Sequence, residues 1–136
     1  MPFPVEEKYI EMAEAALGLR LPDEYRTKLM RENGGHVSAP PDEWDLYPVK
    51  DSSSKKRLKR TFNDIVYETN YSRKWRGFPP DAVAIGDNMG GDKLIFMPYP
   101  DDPKEAQPTL FWWDHETATI YEVSSDLEAL FNQTVS

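Results

Sequence analysis

The stretch FPPDAVAIGDNMGGDKLIFMP, residues 78–98, constrains the fold more than any other. An apolar run from Ala82 to Gly86 meets a polar interval, Asp87 to Asp92, and a second apolar run follows from Leu94 to Met97. Asp87 and Asn88 can accept hydrogen bonds from their own backbone. Gly90 and Gly91 can adopt the positive φ that other residues resist. Together they predict a β-hairpin with Asp87, Asn88, Gly90, Gly91 and Asp92 as its structural turn.

On either side of this hairpin the periodicity changes. Val5, Tyr9, Met12, Ala13, Ala16 and Leu17 recur at helical spacing, with Gly18 as a stop. Pro22-Asp23-Glu24 opens a second helix carrying Tyr25 and Leu29, which ends at Asn33-Gly34-Gly35. Prolines 40, 41 and 48 surround Glu43-Trp44-Asp45-Leu46-Tyr47, whose alternation predicts one short strand with Trp44 and Leu46 on the same face. Ser52-Ser53-Ser54 is placed to cap a third helix burying Leu58, Phe62, Ile65, Val66 and Thr69. Its early lysines oppose the helix dipole, which makes a start nearer Thr61 the alternative.

After the hairpin, the four prolines between Pro98 and Pro108 mark a loop. Residues 109–113 and 119–123 form a second hairpin around Asp114-His115-Glu116-Thr117. Ser125-Asp126-Leu127-Glu128 has the form of a capping box for a closing helix that buries Leu127, Leu130, Phe131 and Val135. N-terminal helices, an antiparallel sheet and a C-terminal helix make an α+β fold, expected as a single domain over residues 1–136.

Several chemistries are excluded by spacing or composition. There is no cysteine, so thiolate metal sites and cysteine nucleophiles are out. Counting from Asp87, an EF-hand would require oxygen ligands where Met89, Gly91 and Pro98 stand, and Asp92-Lys93 opens a strand where a phosphate loop would open a helix. Neither a metal nor another cofactor is expected. His115 between carboxylates has its charged form favoured, yet consecutive hairpin residues diverge and His36 is the only other histidine. No catalytic residue is assigned. An enzyme using Asp92 and His115 stands third among the readings.

The net charge of −8 is unevenly spread. Residues 50–76 carry nine of the 16 basic and three of the 24 acidic residues, a net +6 against −14 for the rest. That acidity argues against direct nucleic-acid binding, and neither a leader segment nor a membrane span is evident, so a cytoplasmic protein is expected. The strip Lys55 to Arg60 reads as a solvated helix face, with docking onto an acidic partner as the sharper alternative. Trp112 and Trp113 must face opposite sides of their strand, so one can be core while the other needs cover from a helix, a loop or a partner.

LGLRLPDEYRTKLMRENGG (residues 17–35), EWDLYPV (43–49), FPPDAVAIGDNMGGDKLIF (78–96) and WDHETATIYEVSSDLEAL (113–130) occur in an order that resembles the SMI1/KNR4 family of the SUKH superfamily. The resemblance implies helices packed on an antiparallel sheet. It further implies a non-enzymatic binding protein, chiefly a bacterial immunity protein that blocks a toxin domain encoded nearby, often a nuclease. Fungal members implied by the same resemblance are regulatory scaffolds with long disordered flanks. Those flanks are absent from these 136 residues, which favours the immunity reading. Trp44, Tyr47, Asp92, Trp113 and His115 are the expected partner-binding residues.

Overall fold

The computed structural model describes residues 3–132. Helices α1 (Glu7–Leu17) and α2 (Asp23–Arg31) come first. Strands β1 (Gly35–Ala39) and β2 (Asp42–Leu46) follow, then helices α3 (Lys55–Arg60) and α4 (Ile65–Ser72). The central hairpin is β3 (Val83–Asp87) with β4 (Lys93–Phe96), and the second is β5 (Leu110–Asp114) with β6 (Thr119–Ser124). Helix α5 (Leu127–Phe131) closes the described chain. All six strands form one antiparallel sheet in sequential order, and with the helices they give the expected α+β fold.

Each helix end has a local cause. Gly18 terminates α1 in the left-handed conformation, its N–H returning to the Glu14 carbonyl. Arg26 on α2 then ties the pair together, bonding Glu14 at 3.1 Å and Glu7 at 2.8 Å. Where one helix was expected over residues 55–69, there are two. Ser54 caps α3 by accepting from Arg57 N, and Asp64, in extended conformation, accepts from the N–H groups of Val66 and Tyr67 to start α4. An acceptor at Asp64 competes with continuation of the helix, so the chain breaks there and restarts. Phe62, expected in the core, is consequently exposed. At α5 the cap is Asp126, accepting from Ala129 N, rather than Ser125; Val135 lies outside the described residues.

Tyr25 of α2 knits the core, its ring 5.2 Å from Phe96 on β4 and 5.4 Å from Phe131 on α5. Strands β3 and β4 are buried almost throughout, whereas β2 alternates, with Trp44 and Leu46 inward and Glu43 and Asp45 outward. Pairing of β2 with β3 stops at Pro48, which lacks an N–H and cannot extend the ladder. Helix α4 completes that edge. Thr69 Oγ1 accepts from Ala84 N at 2.9 Å, and Arg73 Nη2 donates to Ala82 O at 3.3 Å. Buried backbone groups of Ala84 on β3 and of Ala82 just before it thus find side-chain partners in place of a strand.

β1 was not anticipated from the sequence. It pairs fully with β2, from Gly35 opposite Leu46 to Ala39 opposite Asp42. No helix among the described residues is long and apolar enough to cross a membrane.

Candidate functional site

The turn at 87–92 forms as expected in its polar contacts and differently in its backbone. Asp87 Oδ1 accepts from Met89 N at 3.2 Å, and Asn88 Oδ1 accepts from Gly90 N at 2.9 Å and Asp92 N at 3.2 Å. Positive φ falls on Met89 and Gly91, not on both glycines. Gly91 is fixed by its surroundings as well as its φ of 104°, because an added Cβ would stand about 3.0 Å from the His115 ring.

The other side-chain atoms of this turn reach outward to three elements. Asn88 Nδ2 donates to Asp42 Oδ2 at 3.2 Å, next to the β1–β2 turn. Asp87 Oδ2 accepts from the Tyr47 hydroxyl at 2.6 Å. Asp92 Oδ1 meets the β5–β6 turn, accepting from His115 N at 3.0 Å and lying 2.6 Å from His115 Nδ1. Hydrogen bonding to Asp92 raises the His115 pKa above its ordinary value. For Asp92 burial pushes upward, but the bonds from His115 outweigh it and the pKa is lowered.

Asp114 and His115 were expected to diverge, yet with Asp92 they present ligand atoms within 4.8 Å of one another. Lys93 and Trp113 are paired across β4 and β5, so Asp92 and Asp114 are the next residues along the same register and face each other. These three could together contact a cation. His115 already uses Nδ1 on Asp92, which compensates the two facing carboxylates without one.

Of the residues expected to meet a partner, Trp44 and Trp113 are instead core. Trp44 is fully buried with its indole N–H on Ala39 O, and Trp113 is 1% exposed, donating to Gly77 O and packed edge-on against Phe78. Tyr47 is buried too. Beside it Lys93 is almost wholly buried, with its ammonium 2.6 Å from the Tyr47 hydroxyl and 4.9 Å from the Trp75 ring centre. Burial lowers the Lys93 pKa, against the opposing pull of Asp87 and Glu68. Trp112, on the opposite strand face from Trp113, is half-covered by stacking on Tyr121 at 4.6 Å. His115 remains exposed, and Asp92 is half-buried beneath it.

An exposed surface that the sequence reading overlooked adjoins them. Across the sheet His36, Asp45, Asp87, Lys93 and Trp113 stand directly opposite one another, so they share one face. At the β1–β2 end that face is open. His36 bridges Asp45 at 3.1 Å and Glu43 at 2.9 Å, and all three are more than half exposed. Hydrogen bonds that His36 makes to Asp45 and then to Glu43 raise its pKa. With Asp42 at the tip of β2, this makes an acidic surface held rigid by the ladder beneath it. The alternation of residues 43–46 already put Glu43 and Asp45 outward, but β1, which brings His36 to them, was missing from the expectation.

No curated protein and no solved structure matches the chain. The family model described as SMI1 / KNR4 family (SUKH-1) matches residues 4–133.

Proposed function

Because the chain belongs to the SMI1/KNR4 family, we propose that it is a protein-binding domain of the immunity type, which neutralises a toxin domain by covering its active cleft. The observation that carries this reading is the acidic face of β1 and β2, where Glu43 and Asp45 are exposed side by side on a strand paired with β1 along its whole length and with β3 at Asp45. A nuclease cleft binds phosphates and is basic. Carboxylates on a rigid strand can occupy the phosphate positions, and a protein of net charge −8 is steered towards such a cleft. His115, held by Asp92 across the adjoining hairpin turns, extends the accessible polar surface.

The test is neutralisation of the toxin encoded beside this chain, with the Glu43→Lys/Asp45→Lys variant as comparison. Both positions are exposed, so circular dichroism should show the fold retained. Inhibition should weaken by about tenfold or more, and association by the unaltered protein should slow as salt rises. Undiminished inhibition by the variant, or the absence of any toxin partner, refutes the reading.

A further inference from the structure

A second surface lies on the helices and does not depend on the acidic face. On α1 Met12 and Ala16 recur at helical spacing with the buried Tyr9, Ala13 and Leu17, yet Met12 is 62% exposed and Ala16 is exposed as well. Leu58 of α3, expected to be buried, is 41% exposed, and Tyr67 of α4 is 55% exposed. These residues are gathered. Met12, Ala16, Leu58, Val66 and Tyr67 line one groove of about 500 Å³ between α1, α3 and α4, and Tyr71 extends it by stacking on Tyr67 at 6.4 Å. Apolar side chains that converge on a groove mark a contact surface more strongly than scattered ones do.

Charge around the groove selects the occupant. Lys50 lines it, Lys55 stands one helical turn before Leu58 with Lys59 next to it on a helix with no acidic residue, and Lys8, one turn before Met12, is paired with Glu6 at 4.0 Å. Asp64 is the acidic lining residue, and its Oδ1 accepts the N–H bonds of Val66 and Tyr67 at 2.9 and 3.0 Å that begin α4. In an otherwise acidic protein, lysines on the lining and on α3 beside Leu58 thus outnumber the one carboxylate that lines this apolar groove. We infer that the groove between α1, α3 and α4 docks an acidic amphipathic helix of a partner protein, apolar side chains on the groove floor and carboxylates on the lysine rim. A basic helix would meet like charge there, and a purely polar acidic segment would leave the apolar floor uncovered.

The test uses a synthetic amphipathic helix with leucines on one face and glutamates on the other, and a twin with lysines replacing the glutamates. Binding is followed by amide chemical-shift changes of the full chain. The glutamate peptide should saturate, shift Met12, Ala16, Leu58, Val66 and Tyr67, and bind about tenfold more tightly than its twin. Met12→Glu and Leu58→Glu, at exposed positions that leave the core intact, should abolish binding, and Lys50→Glu/Lys59→Glu should weaken it about tenfold. Equal binding of both peptides, no saturation, or shifts confined to another face overturns the inference. So does self-association that Met12→Glu dissolves, because a second copy would then be the occupant.

Discussion

The Lys93 ammonium on β4 lies 2.6 Å from the hydroxyl of Tyr47, the residue immediately after β2. Both side chains are buried, and the same hydroxyl donates to Asp87 Oδ2 at 2.6 Å. A lysine so placed needs an acceptor, because an unpaired buried ammonium is costly. Tyr47→Phe keeps the ring and removes the acceptor, so it should destabilise the protein by about 1–3 kcal/mol in urea unfolding. Adding Lys93→Met should cost less than the two single changes summed, since the second removes the ammonium whose hydrogen-bond acceptor the first took away, leaving it only Asp87 at 3.9 Å. Additive costs would show that the contact carries no coupling.

A pH signature follows from Asp92 and His115. Their 2.6 Å contact raises the folded-state pKa of His115 and lowers that of Asp92. Stabilisation from His115 is complete below its ordinary value of 6.5 and is lost as pH rises through the raised folded value. Stabilisation from Asp92 is complete above 3.8 and is lost as pH falls through its lowered folded value. The pair therefore contributes most between these two ordinary values. His115 should titrate above 6.5 by NMR, and Asp92→Asn should bring it down towards that value; an unchanged midpoint in the variant would count against the pairing.

At the central turn two neighbours should respond with opposite sign. Gly91→Ala forces a side chain into positive φ and against the His115 ring, and should destabilise by about 1–3 kcal/mol. Met89 also has positive φ, at 70°, but is 85% exposed with nothing to lose in packing. Met89→Gly should relieve that strain and stabilise by ~0.5 kcal/mol after the greater freedom of the unfolded chain is offset. Thermal unfolding of both variants reads the sign directly.

Much of the fold is legible locally. The hairpin over residues 78–98 follows from two apolar runs and an Asp-Asn turn whose hydrogen bonds close within a few residues, and Gly18 ends α1 for an equally local reason. β1 is not legible, because Gly-His-Val-Ser-Ala offers only two buried apolar positions and gains its order from pairing with β2. The partner surface was sought in the tryptophans, since an aromatic on a half-buried strand suits both an interface and a core. Trp44 and Trp113 are buried, whereas several carboxylates, His36 and His115 are exposed.

The sequence by itself determined the order and type of most elements, the chemistry of the 87–92 turn and the family. These depend on spacings of a few residues, over which backbone preference and side-chain hydrogen bonding act directly. Only the tertiary structure decided that Asp64 divides the central helix and that Thr69 and Arg73 satisfy the edge of β3. It also decided that Lys93 is buried on Tyr47 while Met12 and Leu58 are not covered. The reason is physical. Whether an apolar side chain is buried, or a polar one satisfied, depends on which distant segment packs against it, and contacts across the sheet and between helices set that.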